Sequence, residues 1–162
     1  MEKNVKRIEV VELYHTLKAM DNGTKYDKWF TYAVTLTESK IKNDAEAILA
    51  ANIIPEEYME FEGKRQELLK EYAIRDDSGE IIVNEQGQPS FNVDDVEELN
   101  GKIKSLSEDY SDTIETTNKE QIEFEKFLNE YIDVEISTLS IDKLPEELTK
   151  QEMKALLVMV EE

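Results

Sequence analysis

Apolar residues along the chain recur mostly at helical spacing, broken by a few short stretches of other character. Val5 to Val11 is rich in β-branched residues and predicts a short strand. It runs into Glu12–Met20, where Leu13, Leu17 and Met20 are spaced four and three apart and share one helical face. Asp21-Asn22-Gly23 predicts a stop, since glycine supplies the positive φ that a helix C-terminus often needs. A long helix is expected from about Lys25. Trp29, Ala33 and Leu36 form its stripe, and Ile41, Ala45 and Ile48 continue it after a five-residue step. On that reading Trp29 is core, while Phe30 and Tyr32 project outward.

Asn52 to Pro55 predicts a break, because proline removes an amide donor and restricts the residue before it. Glu56 and Glu57 then suit a helix first turn, where carboxylates meet the positive end of the dipole. Beyond it Tyr58, Phe61, Arg65, Leu68 and Tyr72 recur at 3-4-3-4 spacing and form a seam for another helix. Residues 75–92 change character. Arg75–Gly79 and Asn84–Gly87 predict turns around a strand at Glu80–Val83, with Ser90-Phe91-Asn92 pairing back as a small hairpin. The acids here do not make an EF-hand, since their spacing is wrong and the closing glutamate is missing.

The next helix starts at Asn92 or Asp94, with acids in its first turn. Its seam runs through Val96, Leu99, Ile103, Leu106, Tyr110 and Ile114, weakens at Thr116-Thr117-Asn118, and resumes at Phe124, Phe127, Leu128 and Tyr131. In the tail, Asp133–Ser137 alternates like a half-buried strand and is expected to pair with Ile8–Val10. Leu139, Ile141 and Leu144 read as anchors. Thr149 and Glu152 have capping-box spacing, followed by a last amphipathic face of Met153, Leu156, Leu157 and Val160. The expected fold is mainly α (α+β): a long antiparallel helical hairpin, 25–74 against 93–131, with a short β-hairpin insert at 75–92. A small mixed base comes from the two termini, 1–22 and 132–162, and all 162 residues form one domain.

Composition narrows the function classes. Thirty-eight Asp and Glu stand against 19 Lys and Arg, a net charge of -19. Direct nucleic-acid binding is therefore not expected, since phosphate contacts require an excess of bases. The charge is uneven: residues 1–43 hold eight bases and six acids, and the other 119 residues hold 11 bases and 32 acids. The absence of cysteine excludes disulfides, thiolate metal sites and cysteine nucleophiles. No apolar run is long enough for a membrane span, and Met1-Glu2-Lys3-Asn4 carries no signal-peptide core, so a soluble cytoplasmic protein is expected.

Candidate chemistry is sparse. His15, the one histidine, has no nucleophile placed to use it and reads as a partly buried structural residue. There is no glycine-rich phosphate loop, no G-x-S-x-G and no H-E-x-x-H. No catalytic residue, metal site or cofactor is expected. What remains is binding. Glu108, Asp109, Asp112 and Glu115 form an acidic stripe at helical spacing, which either keeps an exposed face solvated or imitates a run of phosphates for a basic groove. Phe30 and Tyr32, with Ile81, Ile82 and Val83, are candidate apolar contacts, the last three read as packing against the helices.

Three segments carry a resemblance. They are the opening Arg7-Ile8-Glu9-Val10-Val11-Glu12-Leu13-Tyr14, the run from Leu68 to Val83, and the ending from Val134 to Glu162 through Leu139, Leu144 and Thr149-Lys150-Gln151-Glu152-Met153. In these the chain resembles small acidic proteins of tailed bacteriophages, grouped in families of unknown function. Ala45 to Pro55 lies outside the likeness. The resemblance implies a phage or prophage origin and brings no catalytic residues. The functional expectation is a non-catalytic phage protein that binds a host protein in the host cytoplasm, as an inhibitor of a defence or nucleic-acid-processing factor. The alternative is a virion component or assembly chaperone that oligomerises through its helical seam.

Overall fold

The computed structural model describes residues 1–20 and 26–161. Among these residues it is mainly helical, with six α-helices and one two-stranded antiparallel sheet. The chain divides into two compact units. Met1–Ile53 and Ile122–Glu162 form the first, and Ile54–Gln121 the second.

In the first unit β1 (Glu2–Lys6) pairs antiparallel with β2 (Tyr131–Glu135), with Glu2 opposite Glu135 and Lys6 opposite Tyr131. Met1 and Ile136 extend the ladder: the N-terminal amine donates to the Ile136 carbonyl at 2.7 Å, and the Ile136 amide returns a bond to Met1 at 2.9 Å. Helix α1 (Arg7–Met20) begins directly after β1. This corrects the expected strand at Val5–Val11 and its pairing through Ile8–Val10. The termini do pair, but through residues 2–6, and Ile8–Val10 are helical. The turn is closed locally by Glu9, whose carboxylate accepts from the Lys6 amide at 2.8 Å, while the Arg7 amide bonds the Glu130 carbonyl at 3.0 Å. Burial of Val10 and Val11 on one face with Leu13, Tyr14, Leu17 and Met20 outweighs their β preference.

Helix α2 (Lys28–Ala50) is capped by Asp27, which accepts from the Trp29 amide at 2.7 Å. The expected stop at Asp21-Asn22-Gly23 and the start at Lys25 lie outside the described residues. Its buried face is Phe30, Ala33, Val34, Thr37, Ile41, Ala45 and Ile48. Ala33, Ile41, Ala45 and Ile48 lie on it as predicted, but Phe30 and Thr37 take the places expected of Trp29 and Leu36. Phe30 is 1% exposed and in the core, whereas Trp29 is 60% exposed. The apparent five-residue step disappears because Thr37, a polar residue, fills the place between Val34 and Ile41. Its hydroxyl accepts from the Ser137 amide at 2.9 Å and donates to the Ser137 carbonyl at 3.4 Å, which lets it be fully buried.

Helix α1 packs on α2 and on α6 (Lys150–Leu156). The capping box is formed: the Thr149 hydroxyl accepts from the Glu152 amide at 3.2 Å, and the Glu152 carboxylate accepts from the Thr149 amide at 2.7 Å. The terminal face differs from the predicted one. Ala155, Leu156 and Met159 are buried, while Met153 and Leu157 are exposed, because the helix ends at Leu156 and tightens into a 3-10 turn over Leu157–Met159. That turn aims Val160 at Leu139 in a parallel bridge, with bonds of 2.8 and 2.9 Å on either side. Leu139 is an anchor and Leu144 packs against the core, but Ile141 is exposed. The main core joins residues of α1, α2, β1, β2 and the tail.

In the second unit α3 (Glu56–Tyr72) follows the expected break at Pro55 and packs on α4 (Val93–Asp109). Tyr72 meets Glu98, and Phe61 meets Tyr110, so the two helices run in opposite directions. Phe61 and Leu99 are buried, and the rest of both predicted seams is mostly half-buried. The second seam breaks earlier than expected. Tyr110 ends α4, and α5 (Ser111–Leu128) starts beyond it, so Thr117 stands inside a helix and is buried.

Residues 73–91 hold a repeat of eight. Ala73, Ile81 and Pro89 are equivalent, as are Arg75, Val83 and Phe91. Three isolated bridges join the two sets in a closed cycle: Arg75 to Ile81, Val83 to Pro89 and Phe91 to Ala73. Between them lies a ring of three backbone bonds, in which the Ile74 amide donates to Ser90, Ser90 to Ile82, and Ile82 back to Ile74, at 2.8–2.9 Å. The predicted hairpin is thus replaced by three short segments around a common centre, none of them a full strand. Two like turns connect them. Asp76 and Asn84 each accept amide bonds through the side chain from residues two and four ahead, and Gly79 and Gly87 take φ of 86° and 75°.

Candidate interaction surfaces

The charge asymmetry has a structural counterpart. Residues 54–121 hold 19 acids and seven bases, and those helices bury few apolar side chains. Several carboxylates there are engaged. Glu60 lies 2.7 Å from the Lys64 amine and accepts from the Tyr110 hydroxyl at 3.0 Å, and both hold it below the usual carboxylate range. Tyr72 donates to Glu98 at 2.5 Å. With Lys102 beside it, that bond lowers the Glu98 pKa, and the Tyr72 phenol is pushed up by the same carboxylate.

The four predicted acids are all exposed, but they do not form one helical stripe. Glu108 and Asp109 end α4, while Asp112 and Glu115 begin α5 beyond Tyr110. Glu108 stands 3.9 Å from Lys104. Glu115 stands 2.6 Å from Lys119, which lowers its pKa. Of the apolar candidates, Tyr32 is exposed and Phe30 is not. Ile81 is half-buried in the three-segment ring, while Ile82 and Val83 are exposed, against the expectation that they pack. Sequence reasoning placed Trp29 inside, yet it stands with Tyr32 on the outer side of α2, with the Lys28 amine 5.4 Å from its ring.

His15 is exposed, contrary to the buried role expected of it. It borders a groove of about 440 Å³ between α1 and α6, beside the Glu12–Lys154 ion pair at 3.1 Å. The capping box that fixes the α6 start was legible in the sequence; the groove was not, since it depends on α6 packing across α1. A second cleft of about 470 Å³ lies at the α2 start, where Tyr26 and Phe30 face Leu144 and Pro145. Acidic Asp142, at its rim, is held low by the Ser140 hydroxyl.

Among the described residues no group of three or more His, Asp or Glu can hold a metal ion, and no helix is long and apolar enough to cross a membrane. No family model, no curated protein and no solved structure matches the chain.

Proposed function

We propose that the chain is a non-catalytic, phage-encoded acidic protein that binds a host protein. In this reading it inhibits a defence or nucleic-acid-processing factor by occupying a basic surface. The supporting observation is the 19 acids against seven bases in residues 54–121, more carboxylate than the local ion pairs use. A field of that sign speeds encounter with a basic partner and repels nucleic acid. The longer arrangement, 25–74 laid against 93–131 as one hairpin, belongs to the same proposal, with the acids of 94–130 as its binding face.

Capture by tagged protein from lysates of infected and uninfected bacteria, followed by mass spectrometry, tests it. The expected result is one host protein from both lysates, released by about 0.5 M NaCl, where the Debye length falls to a few ångströms. Glu108→Lys with Asp112→Lys is expected to weaken that capture. Retention of capsid, portal or tail proteins alone would replace the proposal with the alternative, a virion component or assembly chaperone. One observation favours that second reading: Trp29 and Tyr32 are both exposed on α2, and aromatics of this kind anchor interfaces that resist salt.

A further inference from the structure

From the eight-residue repeat between α3 and α4 we infer a docking surface for a basic amphipathic segment of a partner protein; the inference rests on the proposed binding function and names the chemistry of its partner. Four apolar side chains are exposed within residues 82–96: Ile82, Val83, Val93 and Val96, with Val93 at 89%. Backbone pairing joins the segments that carry them. Ile82 is bonded to Ser90 through the backbone ring and Val83 bridges Pro89, so Val93 follows within about 10 Å of chain. The ring and the two side-chain-closed turns satisfy the backbone locally, and Val93, the most exposed of the four, packs little against the fold beneath it.

Charge selects the occupant. Residues 71–98 carry nine acids and one base. That base, Arg75, spends its guanidinium on the Gly79 and Lys70 carbonyls at 2.9 and 3.3 Å. Asp77, Glu80, Glu85, Asp94 and Glu97 make no ion pair among the described residues. A nucleic acid or an anionic membrane is repelled here, and a second copy of the chain brings the same sign to the same patch. A segment with Lys or Arg flanking a Leu or Val face matches both features, since the apolar stripe supplies burial and the bases supply the field.

The test uses the full chain, isotope-labelled for NMR, and a helical Leu/Lys peptide of about 18 residues with a continuous apolar face. Two controls are a scrambled peptide of the same composition and a Leu/Gln peptide with the face but no charge. Saturable shifts centred on residues 76–97, given only by the Leu/Lys helix and weakened roughly tenfold between about 50 and 300 mM NaCl, are the expected result. Val93→Lys with Glu97→Lys is expected to weaken binding at least about tenfold without unfolding the chain, since both residues are exposed. Equal binding by the scrambled peptide, indifference to the double variant, or no binding overturns the inference. Shifts centred on Glu108–Glu115 or on Trp29 and Tyr32 overturn it too, and leave the proposed function standing, because that function is decided separately by the lysate capture.

Discussion

Two threonines in helices show how a buried hydroxyl takes opposite signs. Thr37 is fully buried and exchanges two bonds with the Ser137 backbone. Thr117 is also buried, and its hydroxyl has no partner among the described residues. Valine has nearly the same shape and no polar group. Thr37→Val is therefore expected to cost about 1–3 kcal/mol, because the Ser137 amide loses its acceptor in a buried place. Thr117→Val should instead stabilise by about 1 kcal/mol, as an unmet hydroxyl is removed. Urea unfolding of the two variants measures both, and equal signs would contradict the assignment. A second pair tests which way α2 faces. Phe30→Ala is expected to cost about 3–5 kcal/mol, whereas Trp29→Ala should stay within about 0.5 kcal/mol. The sequence misleads at this pair for a physical reason. A stripe traced through hydrophobic residues alone passes over Thr37 and so settles on Trp29, 33 and 36. Admitting one hydrogen-bonded polar residue to the core moves Trp29 and Leu36 off the stripe and leaves Ala33, Ile41, Ala45 and Ile48 on it.

At the scale of elements, the repeat at 73–91 is held by short-range chemistry. Gly79 and Gly87 have open space where a Cβ would sit, so a substitution there strains only the backbone. Gly79→Ala and Gly87→Ala are each expected to cost about 1 kcal/mol through positive φ alone. An exposed helical glycine, Gly63, should gain stability when changed to Ala. Thermal unfolding of the three variants separates the two cases by sign. Both turns were legible in the sequence, since Asp or Asn followed three residues later by Gly carries its own mechanism. So were the Pro55 break, the capping box at Thr149 and the α3 seam. The cyclic pairing was not legible. Segments of three residues look alike whether they pair in twos or threes, and only the return of 91 to 73 closes the ring. The α1 start was hidden similarly: Val10 and Val11 read as strand until the core to which they belong is known. The α1/α6 groove is a product of packing and leaves no local signal. Nor did the sequence mark the gap at Tyr110, which splits four acids whose spacing suits a single helix.

At the scale of the whole molecule, burial and charge are distributed in opposite senses. The buried residues described in the main core lie within 5–48 and 134–159, while Phe61, Ala73 and Leu99 are the buried hydrophobic side chains described in 54–121. Those 68 residues also carry a formal surplus of 12 negative charges. Less burial and more self-repulsion both lower the free energy of local opening there. Native-state hydrogen exchange should accordingly show amides of α3 and α4 opening well below the level of α1 and α2. Added NaCl should narrow the difference, since screening acts on exposed charge and leaves burial unchanged. Acid supplies the complementary test. Glu60, Glu98 and Asp76 are held below the usual carboxylate range, chiefly by hydrogen bonds from Lys64, Tyr72 and Ser78 respectively. A carboxylate lowered in the folded state contributes stability that is complete above its unfolded value, about pH 4, and drains away as pH falls through the lowered one. The α3/α4 pair is thus expected to lose protection below about pH 4, even though protonation relieves repulsion among the remaining acids. If protection there instead rises steadily down to about pH 2, repulsion outweighs these bonds, and neither Glu60 and Glu98 across the helices nor Asp76 within its turn holds the pair together.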